Sequence, residues 1–228
     1  TAAGDQDLTI NGGTAGAFLT YSLATGDIDG DGIDDILMGA PGADGPQDSR
    51  LDAGEVRAVL GGPDLAVEID SGEAFLTVYG AAPSDSLPND LAAGDTDGDG
   101  RDEIIIGAPF VDAELREDAG RVYVVAVPNG GGELDLSHQG AWPMMTGGAR
   151  KDGLGFRVAA GDVDGDGVDD VIAGARDADG PEDAKNNAGE VHLWLGGDGL
   201  PQSMDLKAAT SDSVIVGSTA GDSLGFSV

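Results

Sequence analysis

One acidic stretch is written three times in this chain, at residues 26–35, 94–103 and 161–170. The first aspartates of the copies are Asp27, Asp95 and Asp162, so the interval between copies is 68 and then 67 residues. A stretch that recurs at a nearly constant interval is typical of a repeat protein, in which each repeat is one unit packed on its neighbours. The sequence therefore predicts an array of three similar units.

Each copy carries the oxygen donors of a metal-binding loop. Counted from the first aspartate, positions 1, 3, 5 and 9 are acidic, position 6 is glycine, and position 7 offers only a backbone carbonyl. The glycine allows a sharp turn, and an all-oxygen set suits a hard cation that takes about 6–8 oxygens, which is Ca²⁺. We therefore expect about three Ca²⁺ ions, one for each loop. The predicted ligands are Asp27, Asp29, Asp31, Ile33 and Asp35 in the first loop, Asp95, Asp97, Asp99, Arg101 and Glu103 in the second, and Asp162, Asp164, Asp166, Val168 and Asp170 in the third.

The density of negative charge supports a metal. Each loop places five acidic side chains within nine residues. Two such charges at ~4 Å repel by roughly 1 kcal/mol in water, and by about 4 kcal/mol at the effective dielectric near a protein surface. Without a divalent ion the carboxylates would splay apart. The alternative is a solvated acidic turn, since Asp and Gly are turn formers, but three aligned copies favour the metal site.

The residues after each loop predict strands and exclude an EF-hand. An EF-hand needs a bidentate glutamate at position 12 and a helix on each side, whereas position 12 here is Met38, Ile106 and Ala173. Each loop runs directly into an apolar, β-prone segment, which is typical of a strand. The contiguous nonapeptide repeats of a calcium-binding β-helix are excluded as well, because the copies lie far apart in the chain.

Four strands are predicted in each repeat, with the acidic loop between the first and the second. They are expected at 19–24, 35–38, 54–60 and 73–78, at 87–93, 103–106, 120–126 and about 140–145, and at 154–160, 170–173, 189–195 and 212–217. Pro88 and Pro143 weaken the predictions at their positions, because proline cannot donate to a ladder. Four short antiparallel strands are the content of one β-propeller blade. The predicted fold class is all-β, with three complete blades and partial strands at both ends.

The order of acidic loop, apolar strand, Gly-Ala-Pro at 39–41 and 107–109, and an Ala-Gly-x-Val strand resembles the FG-GAP repeat of integrin α-subunit propellers and their bacterial relatives. The resemblance covers nearly the whole chain. It departs from the family pattern at the Phe-Gly pair, which is Leu154-Gly155 and Leu224-Gly225 and is lost at Leu87-Pro88 and Leu19-Thr20, and at Arg176 and Glu103, which replace a proline and an aspartate. The resemblance implies Ca²⁺ at the three loops, on one face of the propeller, with partners on the opposite face.

The chain is expected to be a single propeller segment, 1–228, with repeats at about 13–78, 79–145 and 146–217 and a partial fourth repeat at 218–228. A lone strand at 8–12 precedes the first repeat, and residues 224–228 open the fourth. Propellers have roughly 4–8 blades, so three blades leave the ring open, with unpaired strand edges. We expect this sequence to be part of a longer chain. The alternative is that further copies of itself, or another chain, complete the ring or stack into a filament.

Charge restricts the partners of the chain. It has 43 acidic and 11 basic side chains, for a formal net charge of -32. Three Ca²⁺ ions would offset only a small part of that charge, so nucleic acid and anionic membranes are poor partners. No apolar run reaches transmembrane length, and the chain contains no cysteine. We expect an extracellular or cell-surface protein without membrane insertion.

These features predict a non-catalytic, calcium-binding module for adhesion or for binding a protein or glycan. The two histidines are His138 and His192, and the second lies inside a predicted strand, where a packing or surface role is expected rather than catalysis. One alternative is a structural subunit of a surface filament or matrix. Another is the propeller part of a larger secreted enzyme, such as a calcium-dependent polysaccharide lyase or a lipase-like hydrolase.

Further acidic side chains follow the second strand of each repeat. We expect them to form a solvated face, the alternative being a second cation site or a cation-bridged partner surface. They are Asp44, Asp48 and Asp52 in the first repeat, Asp112, Glu114, Glu117 and Asp118 in the second, and Asp177, Asp179, Glu182 and Asp183 in the third.

Overall fold

A computed structural model describes residues 9–12, 16–63, 68–70, 73–138, 142–180, 184–197 and 200–228. Within these ranges the regular structure is β-strand, apart from one 3₁₀ turn at Pro46–Asp48. In chain order the strands are β1 (Thr9–Asn11), β2 (Leu23–Gly26), β3 (Asp35–Ala40), β4 (Glu55–Val59), β5 (Glu68–Asp70), β6 (Leu76–Tyr79), β7 (Asp90–Gly94), β8 (Glu103–Ala108), β9 (Arg121–Val125), β10 (Gly132–Asp135), β11 (Met144–Thr146), β12 (Leu154–Gly161), β13 (Asp170–Ala175), β14 (Glu190–Trp194), β15 (Met204–Asp205) and β16 (Ser213–Val216). The predictions that involve residues 8, 140 and 141 fall partly outside the described residues.

Each repeat forms an antiparallel sheet whose four main strands are adjacent in chain order. The first blade is β2-β3-β4-β6, the second is β7-β8-β9-β11, and the third is β12-β13-β14-β16. Neighbouring strands pair through short connections, as expected for sequentially adjacent antiparallel elements. The prediction of all-β propeller blades is confirmed.

Alternate side chains of β8 belong to two different cores, which shows how the blades stack. Ile104 and Ile106 pack in a core shared with the first blade, where Leu37 is fully buried. Ile105 packs instead in a core shared with the third blade, where Trp194 is fully buried. Because successive side chains of a strand point to opposite faces of its sheet, the second blade is buried on both faces and holds the other two together.

The first strands of the first two repeats begin later than predicted. β2 begins at Leu23 rather than at residue 19, because Phe18 and Thr20 have positive φ angles of 55° and 72° and the chain turns there. β7 begins at Asp90 rather than at residue 87. Pro88 has no N–H to donate to the ladder, so the expected strand is shortened at that end. β12 fills its predicted range from residue 154.

Three short strands were not predicted at all. β5, β10 and β15 lie in the segments that join the third and fourth strands of their repeats, and each runs parallel to the last strand before its own repeat. β10 pairs with β6, β15 pairs with β11, and β5 pairs with β1. Segments of two to four residues are too short to show an alternating pattern. The second and third repeats therefore each supply a fifth strand to the blade that precedes them, and β5 of the first repeat pairs in the same way with β1.

The start of each repeat is fixed by a single parallel bridge to the repeat before it. Leu224 pairs in this way with Gly189. Residues 224–228 make only this bridge and are not a strand, contrary to the prediction. The bridges join Gly54 to Leu87, Gly120 to Leu154 and Gly189 to Leu224.

Candidate metal centre

The three acidic loops lie side by side at one edge of the array. Each loop joins the first strand of a blade to the second, between β2 and β3, β7 and β8, and β12 and β13. The first strands contact one another, β2 with β7 and β7 with β12. Since the blades have the same strand order and stack in the same direction, their first hairpin loops come together at the same edge.

Each loop is folded around its first aspartate. One carboxylate oxygen of Asp27 accepts the backbone N–H groups of Gly30 and Asp31 at 2.8 and 3.0 Å, and the other accepts that of Gly32 at 2.8 Å. Asp29 in turn accepts the N–H of Asp31 at 3.1 Å. Short aspartate side chains bond their own backbone readily. These bonds close the loop and turn its carboxylates inward.

The third loop repeats this pattern bond for bond. Asp162 accepts the N–H groups of Gly165, Asp166 and Gly167 at 2.6, 3.1 and 3.0 Å, and Asp164 accepts that of Asp166 at 3.1 Å. In the second loop, Asp95 makes the corresponding bonds to the two glycines of the loop at 2.8 and 2.9 Å. Nearly identical loop sequences thus produce a similar local fold three times.

Three carboxylates converge in each loop. One oxygen from each of the three lies within 4.8 Å of the others. Two oxygens on opposite sides of a Ca²⁺ ion, each at about 2.4 Å, are about 5 Å apart, so these groups fit one Ca²⁺ apiece. The groups are Asp27, Asp29 and Asp35, then Asp95, Asp97 and Asp99, then Asp162, Asp164 and Asp170. All fifteen ligand roles stay predictions, and Asp31, Glu103 and Asp166 do not belong to these groups.

Position 9 holds the most buried carboxylate of the first and third loops. Asp35 and Asp170 are each 1% exposed. Asp35 accepts the N–H of Ile28 at 3.0 Å on one oxygen and that of Gly61 at 2.7 Å on the other. Burial is the largest influence on the pKa of Asp35 and raises it, although these hydrogen bonds oppose the rise. A carboxylate has about four acceptor sites, so two hydrogen bonds leave room for a metal ion.

The acid at position 9 of the second loop has a different environment. One oxygen of Glu103 accepts both the N–H and the hydroxyl of Thr96, at 3.0 and 2.7 Å. Burial raises the pKa of Glu103 to about 7, and the charges of Asp97 and Asp99 add to the rise, while the bonds from Thr96 oppose it. Glu103 therefore lies beside the three converging aspartates of its loop, with its hydrogen bonds directed to Thr96 at position 2 of the same loop.

The structure assigns a role to position 8, which the sequence reasoning did not consider. This position is Asp34, Asp102 and Asp169. A carboxylate oxygen of Asp102 accepts the N–H of Asp27 at 2.9 Å, and the N–H of Asp102 donates to the carbonyl of Asp27 at 2.9 Å. Asp169 makes the same two contacts with Asp95, at 3.2 and 2.9 Å. The second and third loops thus brace the first aspartate of the loop before them, and the acid present at position 8 of every copy was the available signal.

The close approach of these loops requires glycine before the first aspartate. A Cβ atom on Gly26 would lie 2.5 Å from a carboxylate oxygen of Asp102 and 2.5 Å from the Cβ of Ala93. A Cβ atom on Gly94 would lie 2.7 Å from a carboxylate oxygen of Asp169. All three distances are far inside van der Waals contact, so glycine is the residue that fits.

The position 7 side chains also reach the preceding loop. The Arg101 guanidinium donates to the carbonyl of Ile28 at 2.8 Å and to the side-chain oxygen of Asn129 at 2.9 Å. Val168 stands in the same place on the third loop, where a Cβ atom on Gly98 would lie 3.3 Å from its methyl group. The loop edge is therefore one connected surface.

A serine, a histidine and a glutamate meet in the third blade, away from the loops. His192 is 6% exposed, with Nδ1 3.0 Å from Ser211 Oγ and Nε2 3.1 Å from Glu190 Oε2. The Ser211 hydroxyl also lies 2.9 Å from the carbonyl oxygen of Ser213, which can only accept, so its hydrogen is directed there. The geometry supports the expected packing role of His192, which also stacks on Trp194 with ring centroids 5.7 Å apart.

The other acidic loops use one aspartate each as an internal brace. Asp44 accepts the N–H of Asp52 at 2.9 Å, and Asp179 accepts that of Asn187 at 2.7 Å. Asp112 accepts the N–H of Asp118 in the second repeat at 2.9 Å. In each of these loops, one aspartate therefore has a structural role that requires no bound cation. Glu182 and Asp183 lie outside the described residues.

Blades of four antiparallel strands with an aspartate loop after the first strand define a β-propeller segment with a candidate divalent-cation edge. The FG-GAP repeat model matches residues 19–58, 87–125 and 154–194. The chain belongs to the FG-GAP repeat family, which confirms the resemblance. Among the described residues, no helix is long and apolar enough to cross a membrane.

Curated relatives include integrin α-subunits and an enzyme. The chain is 28% identical to integrin alpha-PS2 of Drosophila melanogaster over 93% of its length, and 33% identical to integrin alpha pat-2 of Caenorhabditis elegans over 78%. It is 30% identical to phosphatidylinositol-glycan-specific phospholipase D of Homo sapiens over 72%. The matched regions are 14%, 14% and 19% of those proteins, so the chain spans less than a fifth of each of them.

Proposed function

We propose that this chain is a calcium-binding β-propeller module of an extracellular or cell-surface protein, which binds a protein or glycan and performs no catalysis itself. The observation that carries the proposal is the convergence of three carboxylates in each of three loops, within a distance that one Ca²⁺ can bridge. The integrin names of several relatives support the adhesive and extracellular part. Because the loops brace one another, the ions would stabilise the whole edge.

Calcium stoichiometry tests the metal part. We expect isothermal titration calorimetry to find about three Ca²⁺ per chain, and Asp29→Ala to remove one of them. The matched controls are Asp29→Asn, which keeps an acceptor for the N–H of Asp31 without the charge, and Asp48→Ala, which removes an exposed acid elsewhere. Loss of one ion in Asp29→Ala, but not in Asp48→Ala, supports the proposal, and Asp29→Asn, whose amide oxygen can still bind Ca²⁺, is expected to keep the ion at reduced affinity. Full binding by Asp29→Ala contradicts it.

The edge opposite the loops is the proposed partner surface. Exposed aromatic side chains gather there, where β3 and β8 end: Phe18 is 70% exposed, Tyr21 is 62% exposed, and Phe110 is 47% exposed. Phe18, Tyr21 and Phe110 line one shallow depression. Exposed aromatic clusters are typical of binding surfaces. The calcium loops would then hold the blades in place while the other edge makes the contact.

Arrays of glycans and extracellular-matrix proteins test this surface. A Tyr21→Ala/Phe110→Ala double variant is expected to lose binding, whereas Leu115→Ala, at a 99% exposed position outside that depression, is expected to keep it. Binding that is unchanged in the double variant contradicts the assignment of the surface.

The likeness to phosphatidylinositol-glycan-specific phospholipase D favours a second candidate, the propeller part of a larger enzyme. We propose that even in that setting this chain binds and does not catalyse. The chain alone is then expected to release no product from a phosphatidylinositol glycan. Turnover that is lost in a Ser211→Ala or His192→Ala variant would contradict this view.

A further inference from the structure

A basic side chain ties the last strand of a blade to the fifth strand supplied by the next repeat. In the second blade, the Arg116 guanidinium donates to the carbonyl of Gly147 at 2.7 Å and to both carboxylate oxygens of Asp205 in β15, at 2.7 and 2.6 Å. In the first blade, Arg50 makes the same contacts with the end of β6 and with Asp135 in β10. Such bidentate, charge-assisted pairs are both strong and geometrically specific.

The aspartate of the fifth strand always stands at the same place. It lies opposite the last residue of the neighbouring strand. In the first and second blades, the leucine that follows the aspartate donates its N–H to the carbonyl of that last residue at 3.0 Å. An apolar residue precedes the aspartate each time. The pairs are Asp70 with Asn11, Asp135 with Tyr79, and Asp205 with Thr146.

The third blade contains half of this clamp. The Lys185 ammonium donates to the carbonyl of Gly217, just after β16, at 3.1 Å. The N–H of Lys185 donates to Asp179 as that of Arg50 donates to Asp44, at 2.8 and 2.7 Å, so the two basic residues hold the same place in their loops. No carboxylate in the described part of the chain forms an ion pair with Lys185.

The strand beside Lys185 is uncovered as well. Among the described strands, only β14 pairs with β16. Ile215, which precedes the last residue of β16, is 64% exposed, whereas its counterparts in β6 and β11, Val78 and Met145, are fully buried in the cores that their blades share with the following blade. An apolar strand edge with free backbone groups is a template for strand addition.

We propose that β16 and Lys185 form a docking site for one kind of occupant, an extended segment of another FG-GAP repeat in which an apolar residue is followed by aspartate. The segment adds to β16 as a parallel strand, and its aspartate lies opposite Val216 and pairs with Lys185. Lys185 is one of 11 basic side chains on a chain with a formal charge of -32, so a cation held at a strand edge is a specific complement to a carboxylate. This site is separate from the proposed calcium edge and partner surface.

A peptide of residues 202–209, which carries the β15 sequence, is the probe. Nuclear magnetic resonance titration of the full chain should show protection of the Val214 and Val216 amides. Leu136 donates to the carbonyl of Tyr79, so Tyr79 faces the fifth strand. Val216 is the residue of β16 that corresponds to Tyr79 of β6. Because the backbone groups of alternate residues face the same edge of a strand, those of Val214 face that edge as well. Peptide with Asp205→Asn, and protein with Lys185→Ala, are each expected to bind about tenfold more weakly, as loss of a charge-assisted bond predicts.

Two further protein variants sharpen the test. Lys185→Arg restores the side chain of the other blades and is expected to bind a few-fold more tightly, whereas Lys151→Ala removes an equal charge elsewhere and is expected to bind like the parent chain. The proposal is overturned if no peptide binds, if the aspartate and asparagine peptides bind equally, or if protection appears away from β16. It is also overturned if the chain dimerises over β16 and the peptide does not compete.

Discussion

The second acidic loop differs from the first and third, although the three are nearly identical in sequence. In the outer two, position 9 is an aspartate whose two oxygens each accept one backbone N–H. In the second it is Glu103, and one oxygen takes both bonds from Thr96. Position 2 explains part of the difference, because Thr96 offers a hydroxyl where the other loops have Ile28 and Val163.

A repeated sequence motif therefore need not form the same site in every repeat. In every copy the aspartate at position 1 accepts the N–H groups of both loop glycines and the aspartate at position 3 accepts that of position 5, whereas the contacts of position 9 differ with the residue at position 2. We therefore expect two similar calcium sites and one that differs.

Removal of divalent ions has the largest expected effect. Extracellular modules bind Ca²⁺ at about 10⁻⁴–10⁻³ M, and at tenfold excess over Kd each site stabilises by ~1.4 kcal/mol, or about 4 kcal/mol for three. At roughly 2–4 °C for each kcal/mol, chelation is expected to lower the melting temperature by about 10 °C in scanning calorimetry. The calcium titration should resolve two classes of site. Three sites of equal affinity would contradict the expected difference between the second loop and the other two. An unchanged melting temperature in excess chelator would contradict the proposal that bound Ca²⁺ stabilises the chain.

Neutral substitutions at position 9 can distinguish the environment of Asp170 from that of Glu103 in the metal-free protein. Asp170→Asn replaces one acceptor by an NH₂ group that faces an N–H of Val163 or Gly196, so we expect a loss of about 2 kcal/mol in chelator. Glu103→Gln keeps one acceptor oxygen for Thr96 and is expected to cost little. Urea unfolding at pH 7 measures both. Equal losses in the two variants would show that the environments are alike.

The stability of the metal-free protein should depend on pH through Glu103. Burial raises its pKa from 4.5 to about 7, so protonation favours the folded state. Stability is fully present below about pH 4.5 and falls as pH rises through 7, by up to about 3 kcal/mol. Because other groups also titrate, the measurement is the difference between the parent chain and Glu103→Gln in chelator at pH 5 and pH 8. A difference that does not change with pH would contradict the assignment.

Much of this fold and site is predictable from the sequence. The strands β3, β8 and β13 follow the acidic loops as continuous apolar runs, which is how strands buried on both faces read. The ligand spacing identifies the first aspartates of each loop, because their contacts are made within the loop. The contribution of positions 7 and 8 is not predictable in this way, since Asp102 and Arg101 act on the neighbouring repeat.

The fifth strands are a second feature that could not be predicted from the local sequence. β10 and β15 have four and two residues, and their partners β6 and β11 belong to the preceding repeat. No local pattern specifies such a pairing, which depends on Arg50 and Arg116 holding Asp135 and Asp205. Local chemistry was therefore predictable where its partners are local, and contacts between repeats required the structure.

The smallest expected effect tests whether the second loop supports the first. Arg101→Ala removes a partly buried bond to the carbonyl of Ile28 and an exposed bond to Asn129, and should cost about 1 kcal/mol. Because Ile28 lies between Asp27 and Asp29, the same change should weaken Ca²⁺ binding at the first loop by a few-fold and leave the third loop unaffected. Val168→Ala is the matched control, since that side chain makes only an apolar contact. If Arg101→Ala and Val168→Ala weaken Ca²⁺ binding equally, the side chain at position 7 acts through packing alone. The hydrogen bonds of Arg101 then do not stabilise the first loop.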